Sequence, residues 1–182
     1  MRQRALILAL AGALATALPT LPAGATIETA EAKESAARAA DRARDDMSET
    51  FDKDSLRNGQ YLWKRGGGSE VTRVVISLSD QLVYAYDDNE LIGVSTISSG
   101  TDKHPTPTGI FPILEKKRHH RSIKYDNAPM PYMQRLDSYG IAMHGGHLPG
   151  YRASHGCIRL PGAFAAKLFA ATEIGTEVLI GA

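Results

Sequence analysis

From Val71 onward the chain is punctuated at short intervals by turn-forming residues, and the apolar runs between them are too short for helices. Residues 73–78 (RVVISL) predict a strand. Residues 81–86 follow after a Ser79-Asp80 turn, and 91–97 after Asp87-Asp88-Asn89. Pro105 and Pro107 introduce a strand over 108–114, while Pro129 and Pro131 mark 122–133 as loop. Residues 139–143 (YGIAM) read as a buried strand that ends at His144, and 177–180 as the closing strand. One segment departs from this pattern. Residues 161–172 predict a helix, with Pro161 suited to its first turn, Phe164, Leu168 and Ala171 on one face, and Gly175 just beyond its end. The region 69–182 is therefore expected to be one mainly β domain with an appended helix.

Gly66-Gly67-Gly68 separates this domain from a segment of different character. Residues 26–60 hold nine acidic and six basic side chains but few large apolar ones. Strong helix formers fill 30–47, and Glu34 and Arg38 are spaced to pair. No wide apolar stripe is visible, so the expectation for 26–68 is a solvated helix or flexible spacer that buries little, with a docking helix for a partner as the alternative. Tyr61, Leu62 and Trp63 are expected to pack back onto the domain. Residues 1–25 read as a secretory signal: Arg2 and Arg4, an uncharged Leu/Ala-rich run, then Pro19, Pro22 and an Ala23-Gly24-Ala25 cleavage pattern. The rival is an uncleaved anchor, but the run falls short of the ~20 residues a spanning helix needs. Cleavage would take the net charge from +1 to −1 by removing two arginines. Either balance excludes the strongly basic surface of non-specific nucleic-acid binding.

In a secreted chain a single cysteine needs explaining, because thiols there usually pair. Cys157 is the only one. It stands in Ser154-His155-Gly156-Cys157, followed by Ile158 and Arg159, while His144 ends the strand upstream of a Gly/Pro-rich loop. A thiol that attacks as thiolate, with an imidazole to take its proton and later return it, is the equipment of nucleophilic acyl transfer. Gly156 removes side-chain bulk beside the sulfur, and the Gly156 and Cys157 amides are candidate oxyanion donors. Arg159 could favour thiolate or hold a carboxylate. Two blander readings stand beside this one. Cys157 could be a small buried hydrophobe, or His144, His147, His155 and Cys157 could hold zinc, although their spacing matches no common zinc pattern. The run Lys116-Lys117-Arg118-His119-His120-Arg121 is either an attractor of carboxylates or a solvated loop.

Residues 71–180 resemble the L,D-transpeptidase catalytic domain (YkuD-like) family of bacterial envelope proteins. The resemblance rests on His144-Gly145 with Ser154-His155-Gly156-Cys157-Ile158-Arg159. Supporting marks are Thr106-Pro107-Thr108-Gly109, Ala128-Pro129-Met130-Pro131-Tyr132 and the closing Gly175-Thr176-x-Val178. It implies a β-sandwich or barrel with one or two short helices, preceded by a helical or flexible N-terminal segment. It implies Cys157 as nucleophile, His144 as general acid/base, Ser154 and His155 as residues shaping the pocket, Gly156 as an oxyanion donor, and Arg159 and Tyr132 as substrate contacts. No metal or cofactor is called for. The implied partners are peptidoglycan stem peptides, an outer-membrane lipoprotein as a possible acceptor, and carbapenem-type covalent inhibitors, all in the periplasm or cell envelope. A non-catalytic wall-binding module is the alternative from another class. Only nine residues separate His144 from Ser154, fewer than in many relatives, so the loop beside the cleft is expected to be short.

Overall fold

The structure, a computed structural model, describes residues 26–64 and 70–182; residues 1–25, read above as a signal, and the glycine break lie outside the described residues. Strands whose residues are apolar at consecutive positions must be covered on both faces. Four strands here have that character: β2 (Arg73–Ser77), β3 (Leu82–Asp87), β4 (Glu90–Thr96) and β10 (Glu177–Gly181). They lie at the centre of a six-stranded sheet in the order β1-β4-β3-β2-β10-β5, with β1 (Tyr61–Trp63) and β5 (Gly109–Pro112) at its edges. A second sheet has the order β6-β7-β8-β9, from β6 (Glu115–Lys117), β7 (Met133–Arg135), β8 (Ala142–Gly145) and β9 (Ile158–Leu160). The architecture is mainly β, with two sheets and two helices, α1 (Ala30–Phe51) and α2 (Gly162–Ala171). Among the described residues no helix is long and apolar enough to cross a membrane.

Alternation along the central strands, broken once where the β3–β4 ladder shifts register between Ala85 and Tyr86, sorts their side chains between two cores. Val74, Ile76, Val83, Ile92, Val178 and Ile180 face the second sheet, where they meet Met143, Ile158, Leu160 and α2's Phe164 and Leu168. Val75, Tyr84, Tyr86, Val94 and Leu179 point the other way, against α1. This corrects the expectation of a solvated or flexible spacer that buries little. Ala32, Ala36, Ala39, Ala40, Ala43 and Met47 of α1 are all buried. They recur at helical spacing and form a face of methyl groups. Alanine contributes little to a hydropathy pattern, which is why the face was not legible, but it lets the helix backbone come very close to the sheet. A Cβ built on Gly181 of β10 would stand 2.7 Å from the Ala36 carbonyl oxygen. Polar bonds fix the helix in place: Arg44 forks onto Asp80, with Nε at 3.0 Å from Oδ2, and the Tyr86 hydroxyl donates to Asp46 at 2.7 Å. The Thr29 hydroxyl caps the start of α1 by accepting from the Ala32 amide.

Tyr61, Leu62 and Trp63 do pack back, and they do so as strand β1, antiparallel to β4. The rings of Tyr61 and Trp63 lie 5.9 and 5.6 Å from Phe164 of α2. The strand expected at 139–143 sits further along, at β8, and His144 lies inside it rather than beyond its end. Tyr139 is 90% exposed, because the preceding residues form a turn. The short strands β6, β7 and β9 were not anticipated.

Met47→Ala should destabilise the protein by about 2–5 kcal/mol, the cost of a buried large-to-small change, measured by chemical denaturation. Removal of residues 26–60 should leave the Val75/Tyr84/Leu179 face open and abolish a cooperative thermal transition. A retained transition would return this segment to the status of a spacer.

Candidate active site

The site is built on the pairing of β8 with β9. They run parallel, with Met143 opposite Ile158, His144 opposite Arg159 and Gly145 opposite Leu160. Because side chains alternate, Met143, Ile158 and Leu160 enter the main core, while His144 and Arg159 occupy the other face. Ala142 and Cys157, two residues before His144 and Arg159 respectively, project to that same face. His144 and Cys157 are therefore diagonal neighbours on one side of the sheet. Cys157 is half-buried and packs against Met130, Met133 and Ala142. Its Sγ–H donates to the Gly140 carbonyl at 3.6 Å.

His144 is 7% exposed, and its Nδ1 lies 2.9 Å from the Gly145 carbonyl oxygen. A carbonyl can only accept, so the proton sits on Nδ1 and Nε2 keeps its lone pair. Burial holds the imidazole below its ordinary pKa; Arg159 and His120 add to this, and the Gly145 carbonyl opposes it. Burial also pushes the Cys157 thiol up. Asp137 adds to that rise, whereas the Ala142 amide and Arg159 pull the other way. The effect expected of Arg159, favouring thiolate, is present but outweighed by burial. Both shifts favour the uncharged forms, a thiol and a neutral imidazole on one sheet face.

Ser154 is buried and acts on the backbone. Its hydroxyl donates to the Cys157 carbonyl and accepts from the Gly156 amide at 3.1 Å. The Gly156 amide, expected to serve as an oxyanion donor, is thus already engaged. Gly156 has φ +107°, a conformation that side chains disfavour, and an added Cβ would stand 2.7 Å from Ile141 Cδ1. Thr106, also buried, holds this peptide from behind by donating to the Gly156 carbonyl at 2.8 Å while accepting from the Gly100 amide at 2.9 Å. A Cβ on Gly100 would fall 2.9 Å from Gly156 Cα. The 98–106 segment is a rail for the loop that carries Cys157: Ser98 and Arg159 exchange backbone bonds at 3.0 Å, and the Ala153 and Ser154 amides both donate to the Ser99 carbonyl.

The remaining expected residues are less centrally placed. His155 is exposed, with its ring stacked 4.6 Å from Tyr125 and tilted 4.8 Å from His104, so it ties the 122–130 loop to the loop that carries Cys157. Arg159 is half-buried, and its stem lies along Gly146. Tyr132 was expected to contact substrate, but its ring packs on Phe169 at 5.9 Å with the Arg118 guanidinium 5.7 Å away. It holds the loop to α2. His147 is exposed. In the basic run, Lys116 donates to the Phe169 and Thr172 carbonyls at the end of α2, and Arg121 to the Asn127 carbonyl. Those two cations brace the chain rather than stand free. Among the described residues no group of three or more His, Cys, Asp or Glu side chains is placed to hold a metal ion. Two contributors were missed. Asn58 donates to the Leu148 carbonyl at 2.9 Å and holds the short loop after His144 from outside the β domain. Thr106 was visible only as part of a motif.

A family model of the L,D-transpeptidase catalytic domain matches residues 71–180. Among solved structures, the chain is 28% identical to a Cys-to-Ser mutant L,D-transpeptidase from Enterococcus faecium, over 61% of this chain and 50% of that one, with TM-score 0.55. It is 27% identical to an L,D-transpeptidase from Mycobacterium tuberculosis H37Rv, over 59% and 56%, with TM-score 0.56. It is 25% identical to L,D-transpeptidase 3 of Mycobacterium tuberculosis in complex with a faropenem-derived adduct, over 62% and 60%, with TM-score 0.56. The chain spans less than two thirds of each of these proteins. No curated protein matches it.

Alkylation of Cys157, followed by intact mass, should keep rising with pH beyond the ordinary thiol value of about 8.5, since a raised pKa delays the thiolate to higher pH. A midpoint below that value would show a preformed ion pair. Thr106→Val, which keeps shape but strands the Gly100 amide and Gly156 carbonyl, should cost about 1–3 kcal/mol in unfolding free energy and slow alkylation at fixed pH.

Proposed function

The chain belongs to the L,D-transpeptidase catalytic-domain (YkuD) family, whose model matches more than half its length, and on that premise we propose that it transfers acyl groups between peptidoglycan stem peptides through a thioester on Cys157. The observation that carries this reading is the shared sheet face of Cys157 and His144, with Nδ1 of the imidazole tied to a carbonyl and Nε2 left as the base. The acyl donor is a stem tetrapeptide. Sγ attacks the carbonyl between the L-centre of diaminopimelate and the terminal D-alanine as Nε2 takes the thiol proton. The tetrahedral intermediate collapses, His144 returns that proton to the leaving D-alanine amine, and a thioester remains. The side-chain amine of a second stem peptide attacks the thioester, its proton passes through His144, and the thiol is restored. With the Gly156 amide engaged by Ser154, the Cys157 amide is the oxyanion donor of this loop.

The acceptor decides the outcome. An amine on a second stem peptide gives a cross-link, a lipoprotein lysine gives attachment to the wall, and water gives L,D-carboxypeptidase activity. All three outcomes share one thioester and differ only in the nucleophile that resolves it. The signal-like residues 1–25 support action in the cell envelope. A relative that carries a faropenem-derived adduct supports the same expectation for this chain, because a β-lactam carbonyl presents the same electrophile to the thiol.

Incubation with a penem or carbapenem should add one inhibitor mass to the intact protein, and Cys157→Ala should take up none. His144→Ala should slow that acylation by about 10²-fold or more, the scale of general acid–base contributions. Muropeptide analysis with a tetrapeptide substrate should yield cross-linked dimer; trimmed tripeptide alone would assign the carboxypeptidase, and no product together with no adduct would leave a wall-binding module.

A further inference from the structure

One carboxylate organises the turn that joins β7 to β8. Asp137 is 5% exposed, and its Oδ1 accepts from three successive backbone amides: Tyr139 at 2.9 Å, Gly140 at 2.8 Å and Ile141 at 2.8 Å. The residue is itself held in place. Its carbonyl accepts from Arg135 Nη1 at 3.0 Å, while Arg135 Nε is anchored on Glu115 at 2.9 Å. The Leu136 amide closes the turn on the Ile141 carbonyl at 2.8 Å. Gly140, at the middle of the three amides, has φ +98° and offers the carbonyl that receives the Cys157 Sγ–H. Two hydrogen bonds therefore link the carboxylate to the sulfur through one residue.

We propose that Asp137 is a positioning residue for the nucleophile: by binding the 139–141 amides it fixes the Gly140 carbonyl, and with it the place and direction of the Cys157 thiol. The proposal rests on the reading of Cys157 as nucleophile and extends it to a residue that the acyl-transfer chemistry does not itself require. A carboxylate with three backbone donors keeps its place without a cation, which suits a turn that must hold its shape while a substrate enters and leaves. It also has an electrostatic consequence. The charged groups that act on the thiol are Asp137 from the turn and Arg159 from β9; His144, on the same sheet face of β8, is itself acted on by Arg159 and His120. Asp137 is the anion of this set. It works with burial to keep the sulfur protonated, against the pull of Arg159.

Charge and geometry can be separated in the full chain. Asp137→Asn keeps an oxygen for the three amides and removes the charge; Asp137→Ala removes both. Iodoacetamide alkylation of the single thiol, read by intact mass across pH, reports on the sulfur without needing any substrate. In Asp137→Asn the alkaline midpoint should move down and alkylation near neutral pH should speed up by about three- to tenfold, as a change of up to one pKa unit gives. Penem acylation should remain within about threefold of wild type in Asp137→Asn and fall by at least about tenfold in Asp137→Ala, a rescue that general destabilisation would not produce. Wild-type acylation in Asp137→Ala overturns the proposal, and an Asp137→Asn profile superimposed on wild type overturns its electrostatic consequence. If Asp137→Ala does not fold, penem acylation in Asp137→Asn decides it: a fall of about tenfold or more, with an oxygen still offered to the three amides, overturns the proposal. Failure of the nucleophile reading looks different: wild-type Cys157 would then take up neither iodoacetamide nor penem.

Discussion

A parallel pair of strands cannot be joined by a tight turn; the chain must leave one end of the first strand and return to the start of the second, which takes a dozen residues or more. The parallel pairing of β8 and β9 is the constraint on which this site depends, and residues 146–157 are its crossover. In most folds a helix fills that role. Here the crossover is a loop only just long enough, and it carries Ser154, His155, Gly156 and Cys157 on its returning limb. The short gap between His144 and Ser154 thus has a geometric meaning, since little more could be removed before the two strands lost register. An irregular crossover has no ladder of its own, so its backbone groups must find partners elsewhere. They find them in Asn58, Ser98, Ser99, Thr101 and Thr106.

This dependence explains what the sequence disclosed and what it hid. Val74–Ile76 and Val178–Ile180 were readable as strands because an apolar run between turn residues has few other solutions. Their continuity also implied that both sheet faces are covered, and the second cover was the Ala-rich helix that reads as a polar spacer. Methyl groups bury little area each, so a hydropathy pattern passes over them, while the close approach at Gly181 depends on their being small. The strands β6, β7 and β9 are three residues each and owe their conformation to their partners rather than to their own sequences. The strand expected at 139–143 slipped because Asp137 captures the first amides of that run for a turn.

At the site, the reactive atoms were legible and their supports were not. Cys157 and His144 announce themselves by residue type, because a lone thiol flanked by Gly and His has few bland explanations in a chain read as secreted. Asn58, Thr106 and Asp137 act at a distance along the chain, through bonds to the Leu148, Gly156 and Gly140 peptides. Nothing in the local sequence says which distant peptide a side chain will hold. The oxyanion role given to Gly156 went astray for a related reason: a flexible glycine amide is a plausible donor until a neighbouring serine is seen to occupy it.

On the proposed reading of Cys157 as nucleophile in the cell envelope, the burial that favours neutral partners bears on how such a site would work in an oxidising compartment. A standing thiolate would be exposed to every oxidant and disulfide it met, because the thiolate is the reactive form. Here burial raises the thiol and lowers the imidazole, so the charged pair is disfavoured from both sides while the site is empty. An incoming carbonyl changes this balance. As sulfur attacks, the negative charge passes from sulfur to the carbonyl oxygen, where backbone amides can receive it, and only the imidazolium remains to be accommodated. The Gly145 carbonyl on Nδ1 is already placed to stabilise that cation. Proton transfer is then favourable in the presence of an electrophile and unfavourable without one, and the reactivity of the single thiol is coupled to the arrival of its substrate.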